Sequence, residues 1–147
     1  MDIIVCDMSL IDITAAADIS RQCLGDDWRA ESLQSAIKNP QYRFFSAKVA
    51  DSLVGFCGFR FVLDEGDICT LAVKPDFHRG GIGKALLTAM IDCAHSLPLS
   101  FLSLEVRASN APAIALYNKF GFVKQTIRKN FYQQPAEDAI ILIKHLR

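Results

Sequence analysis

The 147-residue chain lacks a surplus of either charge, since sixteen Lys and Arg residues are matched by sixteen Asp and Glu. A balanced chain raises no general positive field to hold a polyphosphate backbone, so nucleic acid is not expected as its main ligand. Long hydrophobic runs are missing as well: residues 139–143 are typical of the longest, far short of the roughly 20 residues that cross a bilayer. No membrane partner is expected. The opening residues, Met1-Asp2-Ile3-Ile4-Val5-Cys6-Asp7, carry no basic stretch ahead of an apolar one and do not read as a secretory signal, so the protein is expected in the cytoplasm. Histidine is sparse: His78, His95 and His145 stand far apart with no Cys or carboxylate at ligand spacing, and no metal is expected. Cys6, Cys23, Cys57, Cys69 and Cys93 are odd in number and form no C-x-x-C pair. That pattern fits reduced thiols, most of them small core side chains, rather than a disulfide frame. Repeats, low-complexity tracts and linker-like stretches are absent, and the remaining composition, 51% hydrophobic and 22% charged, suits one folded domain over residues 1–147.

After a short apolar start at residues 2–6, residues 10–24 are Ala-rich with apolar side chains at helical spacing, and Gly25 follows as a stop. Asp27 is placed to cap a second helix over residues 28–38, which Asn39-Pro40 ends. Between 42 and 73 the chain turns β-branched and aromatic in three runs, 43–50, 53–63 and 67–73, separated by Asp51-Ser52 and Asp64-Glu65-Gly66; this reads as an antiparallel meander. A glycine-rich turn then enters a helix carrying Leu86, Leu87, Met90, Ile91 and Ala94, and residues 101–107 alternate as a strand. Ser109 or Asn110 caps a further helix, with Pro112 in its first turn and Gly121 past its end. Strands over 122–132 and 138–146 close the chain, giving an α+β fold with a mixed sheet flanked by helices.

His78-Arg79-Gly80-Gly81-Ile82-Gly83-Lys84 lies where a strand hands over to a helix. Glycines there let backbone N–H groups approach an anion at the positive end of the helix, and Arg79 and Lys84 favour phosphate over a mere tight turn. A P-loop would need Gly at 78 and Ser or Thr at 85, where the chain has His78 and Ala85. A dinucleotide fingerprint starting at Gly81 would put its third glycine on Leu86.

The run from Leu71-Ala72-Val73 through His78 to Leu87 resembles the pyrophosphate-binding segment of the GCN5-related N-acetyltransferases, whose [Q/R]-x-x-G-x-[G/A] loop holds the diphosphate of acetyl-CoA. Gly81 and Gly83 match that loop, and His78 stands where Gln or Arg is usual. The resemblance implies a seven-stranded, mostly antiparallel sheet with about four helices and a splay between strands four and five. It assigns Leu71 and Val73, with Ala72 between them, to main-chain contacts with the pantetheine arm. To the diphosphate it assigns His78, Arg79, Gly80, Gly81, Ile82, Gly83 and Lys84. A sharper likeness lies in Leu104-Glu105-Val106-Arg107-Ala108-Ser109-Asn110 and Tyr117, with Phe120-Gly121-Phe122, Arg128-Lys129-Asn130-Phe131-Tyr132 and Glu137-Asp138-Ala139-Ile140. These runs resemble the bacterial ribosomal-protein alanine N-acetyltransferases, which implies a protein amino terminus, that of a small-subunit ribosomal protein, as partner and acetyl-CoA as cosubstrate.

Acetyl transfer to an amine needs a neutral nucleophile and a proton for the departing thiolate. An α-amino group has a pKa of about 8, so about a tenth is neutral at pH 7 and a base must take the remaining proton. Glu105 shares a strand face with Ser103 and Arg107, opposite Leu102, Leu104 and Val106, so it faces outward toward a cleft. Taken alone it is as well read as a solvated carboxylate paired with Arg107 or Lys119. A glutamate at its reference value of about 4.3 is a weak base, which calls for burial or a water relay. The resemblance makes Glu105 the base and Tyr117 the acid that protonates the coenzyme thiolate; packing is the other reading of Tyr117. Asn110 caps a helix and by resemblance also touches the coenzyme. Cys69 and Cys93 lack a His neighbour in the motif, so direct transfer is preferred to an acyl-enzyme. In N-terminal acetyltransferases the loop between the first two helices and the last hairpin clamp a peptide end, which makes Trp28 and Tyr132 candidates for the substrate. Asp64, Glu65 and Asp67 would attract a cationic terminus and are equally ordinary turn residues. The rival readings are acetylation of a small molecule or a lysine side chain, and a CoA-binding module without turnover, which would need neither Glu105 nor Tyr117.

Overall fold

The computed structural model describes residues 2–24 and 28–147. β1 (Ile4–Asp7) leads through a 3-10 turn (Leu10–Asp12) into α1 (Ile13–Leu24), and α2 (Ala30–Ile37) follows. The meander is β2 (Tyr42–Val49), β3 (Ser52–Val62) and β4 (Glu65–Val73); then come α3 (Ile82–Ser96), β5 (Phe101–Arg107), α4 (Ala111–Lys119), β6 (Val123–Gln133) and β7 (Ala136–His145). All seven strands join one sheet in the order β1-β2-β3-β4-β5-β7-β6. The β4–β5 pair is parallel and every other pair is antiparallel.

Each face of the sheet is closed by its own helices. Ile13, Ala16 and Ile19 of α1 and Leu33 and Ala36 of α2 bury at helical spacing against Phe44, Leu53, Phe56 and Ala72. On the opposite face Leu86, Leu87, Met90 and Ala94 of α3 pack on Phe45, Cys57, Phe59, Leu102 and Leu104. The inward residues of β5 are Leu102, Leu104 and Val106, as its alternation requires. β6 stands at the sheet's edge and is open to solvent along almost its whole length.

Several sequence-based boundaries shift for local reasons. The first helix begins as a 3-10 turn and becomes α-helical only at Ile13, because the Asp12 carboxylate accepts the Ser9 N–H at 3.0 Å and fixes a tight first turn. The second helix covers Ala30–Ile37 rather than 28–38; the expected stop at Gly25 and cap at Asp27 lie outside the described residues. The β3–β4 connection is the two-residue turn Leu63-Asp64, with Leu63 at φ 56°, so Glu65 and Gly66 belong to β4 rather than to a loop. Ala50 and Asp51, both at positive φ, make the β2–β3 turn and leave Ser52 in β3. The last hairpin turns on Gln134-Pro135, which extends its strands to Gln133 and back to Ala136. Among the cysteines only Cys57 is buried; Cys6 and Cys23 are exposed and Cys69 and Cys93 half-buried, because all but Cys57 sit near strand or helix ends or outward faces.

Asp12 ties the first turn to the sheet. Its side chain is 5% exposed, accepts Ser46 Oγ at 3.0 Å and pairs with Lys48 Nζ at 2.9 Å. Burial alone would raise its carboxyl; the Ser9 amide, Lys48 and Ser46 outweigh that and hold it below the usual carboxylate value. A lowered folded pKa contributes stability above the unfolded value, and that contribution is lost as pH falls through the folded one. Asp12→Ala is therefore expected to lower the unfolding free energy by about 2 kcal/mol at pH 7, because it leaves the Ser9 amide and the buried Ser46 hydroxyl without their acceptor. In urea melts the difference from wild type shrinks once pH drops below about 4.

Candidate active site

β4 and β5 pair at only three positions, Glu65 with Phe101, Gly66 with Leu102 and Asp67 with Ser103, and then part. The cause is local. Against β3, Ile68 pairs with Phe59 and Thr70 with Gly58, so Cys69 is an extra residue that bends β4. Beyond the bulge β4 follows β3 to Val73, while β5 follows β7 to Arg107, and the facing edges are no longer laddered to each other. The opening lies at the carboxyl ends of two adjacent parallel strands, with a helix starting beyond each, the place where open sheets take ligands. The Val73 carbonyl is turned away from β3, accepting His78 Nε2–H at 2.9 Å and the Cys23 thiol at 3.5 Å. By strand alternation the polar groups of Leu71 point the same way and those of Ala72 toward β3.

The segment after β4 makes a 3-10 turn (Pro75–Phe77) and then the glycine loop. Arg79 (φ 67°) and Gly81 (φ 85°) both take the left-handed conformation. Gly81 is the N-cap of α3, and a Cβ built on it would meet nothing within 4 Å, so the ground in front of the helix is open. The N–H groups of Ile82, Gly83 and Lys84 begin α3 and have no carbonyl ahead of them in the helix. Gly83 lets this end approach α4, since a Cβ there would touch the Leu116 side chain at 3.4 Å. Arg79, Gly80 and Lys84 are exposed beside these amides. Amides, helix end and cations together suit a diphosphate. The His78 ring, by contrast, turns back to Val73 rather than toward the loop.

Glu105 faces outward on β5, its side chain 35% exposed, and pairs with Arg128 Nη1 at 2.9 Å. Neither Arg107 nor Lys119 is its partner. Arg128 reaches it because β7 lies between β5 and β6, with Ile141 opposite both Glu105 and Thr126 and Ala139 opposite both Arg107 and Arg128. Asp67 shares this face, since its parallel partner Ser103 is two residues from Glu105 on one strand. Crowding by the surrounding protein pushes the Asp67 carboxyl up to about 6, and the charge of Glu105 pushes the same way against Arg60. Burial and then Asp67 push the Cys69 thiol up to about 11, and burial raises Cys93, which keeps both as thiols rather than nucleophilic thiolates.

Asn110 caps α4, its side-chain oxygen accepting Ala113 N–H at 3.2 Å. One helical stretch on, Tyr117 is 6% exposed and packs edge-on against Phe122, ring centroids 5.4 Å apart. Burial, with a smaller effect from Cys57, drives its phenol well above the ordinary value. Trp28 lies edge-on to Phe44 and Tyr42, 5.2 and 6.3 Å between centroids, and Tyr42 begins the register row Tyr42, Arg60, Asp67, Ser103 that crosses the sheet to the opening. Tyr132 stacks under the Arg107 guanidinium at 4.2 Å, which puts the last hairpin beside the Glu105 strand. The face thus collects Glu105, Asp67, Arg128, Arg107 and Tyr132, with Trp28 reaching it through Tyr42. Arg60 and Arg128 were not legible as site residues, because their neighbours are set by register and strand order alone.

A family model described as the acetyltransferase (GNAT) family matches residues 13–122, and the chain belongs to this family of N-acetyltransferases. Within it, the chain is 40% identical over 139 residues to the ribosomal protein bS18-alanine N-acetyltransferase of Salmonella typhimurium, covering 92% of each. To the protein of that name from Escherichia coli strain K12 it is 38% identical over 133 residues, covering 89% of each. The crystal structure of the ribosomal-protein-S18-alanine N-acetyltransferase from Escherichia coli superposes with a TM-score of 0.89 at 35% identity, over 99% of this chain and 94% of that one. Ard1 from Thermoplasma volcanium gives 0.89 at 26% identity, over 99% and 98%.

The burial of Tyr117 predicts that its proton survives alkaline conditions that ionise ordinary tyrosines. The phenolate absorbance of wild type minus that of Tyr117→Phe should stay flat through pH about 10, where a free phenol is half ionised.

Proposed function

We propose that the protein transfers the acetyl group of acetyl-CoA to the α-amino group of an amino-terminal alanine, that of ribosomal protein bS18, in the cytoplasm and by direct transfer in a ternary complex. One observation carries the substrate: identity of 38–40% over about nine-tenths of the chain to proteins named for that reaction. The opening between β4 and β5 supports acetyl-CoA as cosubstrate and transfer in a ternary complex. The coenzyme's diphosphate would rest on the amides of Ile82, Gly83 and Lys84 beside Arg79 and Gly80, its pantetheine arm against the main-chain edge of Leu71 and Val73, with Ala72 between them bonded to β3 and Asn110 at the far rim. His78 would have to leave the Val73 carbonyl for its N–H to reach a phosphate. Acetyl-CoA supplies an acyl carbon activated by sulfur; the protein supplies orientation and proton traffic.

Glu105 takes one proton from the bound ammonium, which frees the lone pair that forms the new N–C bond, and after passing that proton to solvent it takes the second as the adduct collapses to the amide. The electron pair of the breaking C–S bond goes to sulfur, where Tyr117 donates. Held well above its usual value, the phenol stays protonated and stabilises sulfur's growing charge as a hydrogen-bond donor, while the proton that completes the thiol comes from solvent. Trp28 and Tyr132 would flank the peptide, placed by the α1 side and the last hairpin.

Glu105→Gln and Tyr117→Phe are each expected to lower kcat by about a hundredfold or more while CoA affinity changes little. Thiol release from acetyl-CoA checks this with an alanine-initiated peptide, lysine peptides and polyamines in parallel. Full rates in both variants would sink the mechanism, and a preference for lysine or polyamine would sink the substrate.

A further inference from the structure

Resting on that reading, we infer that Asp67 is a specificity-determining residue which, with Glu105, receives the substrate amine as a cation at the mouth of the cleft. Position comes first. Asp67 is the last β4 residue paired with β5, so its side chain stands at the point where the strands part, on the face that carries Glu105. Charge comes second. Among the described residues the Asp67 carboxylate makes no hydrogen bond and no ion pair, whereas Glu105 has Arg128, Glu137 has Arg107 and Asp138 has Lys129. Arg60, its neighbour in the β3 register, acts on it only through space. Access comes third: Asp67 is open to solvent although protein crowds its carboxyl.

Asp67 and Glu105 repel across one face, with Arg128 paired to Glu105 and Arg60 acting on Asp67 only through space, and a positive ligand arriving there relieves the repulsion. An amino terminus at pH 7 is about nine-tenths protonated, so the cation is the form that meets the protein. A carboxyl pushed up to about 6 is still mainly ionised at that pH and attracts it. Asp67 holds the ammonium while Glu105, whose exposed pair with Arg128 is easily exchanged, takes the proton. The role of Asp67 is therefore to bind and position the amine, and its loss should fall on affinity rather than on the proton-transfer step.

Asp67→Asn keeps size and removes charge. Calorimetry on the full chain saturated with CoA, titrated with an alanine-initiated peptide and with its N-acetylated form, reads the preference for the cation. Wild type and Asp67→Glu should favour the free amine by about tenfold or more, and Asp67→Asn should lose most of that preference. In turnover, Asp67→Asn should raise KM for the peptide about tenfold with kcat within about twofold, and leave KM for acetyl-CoA unchanged. An undiminished preference in Asp67→Asn, or none in wild type, overturns the assignment. A wild type that shows the Asp67-dependent preference yet moves no acetyl group supports the assignment and overturns the proposed enzyme instead.

Discussion

The parting of β4 from β5 is the constraint on which the rest of the molecule depends. A parallel pair that stops after three residues leaves two runs of backbone without the ladder they would otherwise share, at a cost that other contacts must offset. The sheet does so from the outer sides: β3 holds β4 as far as Val73, and β7 holds β5 through all seven of its residues. Beneath the opening, Leu104, Val106, Ile82, Leu86 and Tyr117 belong to one buried cluster, so the diverging strands stand on packed side chains rather than on each other. The bulge at Cys69 makes divergence the relaxed state of β4, and it also reverses which alternate residues face α3: Ile68 does before the bulge, whereas Thr70 and Ala72 turn to the other face after it.

Electrostatics on the open face follow from the same geometry. Where carboxylates have a structural task their charge is met: Glu137 binds Arg107, Asp138 binds Lys129, and Asp12 binds Lys48 in the core. At the mouth of the cleft the balance is poorer, because Asp67 and Glu105 share one face and, among the described residues, Glu105 is ion-paired with Arg128 while Arg60 acts on Asp67 only through space. The Glu105–Arg128 pair, with side chains 35% and 55% exposed, contributes about 1 kcal/mol or less to stability. An interaction that weak is readily exchanged for another cation.

How much of this could be read from the chain depends on the range of the interaction. The β5 face, the Asn110 cap, the Gly81 loop and the apolar stripe of α3 are set within a turn or two of sequence, and the structure reproduces them. The β3–β4 turn misled because Asp64-Glu65-Gly66 has turn chemistry, whereas the chain turns at Leu63-Asp64 with a leucine in the left-handed region, a conformation no local preference selects. Gly66 lies inside β4 instead, where a Cβ would stand 2.7 Å from the end of the Leu102 side chain and force it to shift. Arg128 as the partner of Glu105 was out of reach, since β7 inserts between β5 and β6 against chain order. Nor does spacing reveal that four of the five cysteines lie outside the fully buried core.

Arg107 links the two sides of the site. It sits two residues beyond Glu105, stacks on Tyr132, pairs with Glu137 at 3.3 Å and donates to the carbonyls of Pro135 at 3.0 Å and Gln134 at 3.2 Å. One side chain on β5 therefore fixes the tip of the β6–β7 hairpin from four directions. A tip joined by two residues and held in this way has little freedom to swing, so the wall it offers beside Glu105 is set before any ligand arrives. Pre-organisation of that kind lowers the entropy lost on binding. What that wall presents is the aromatic face of Tyr132 under the Arg107 guanidinium, beside the strand that carries Glu105.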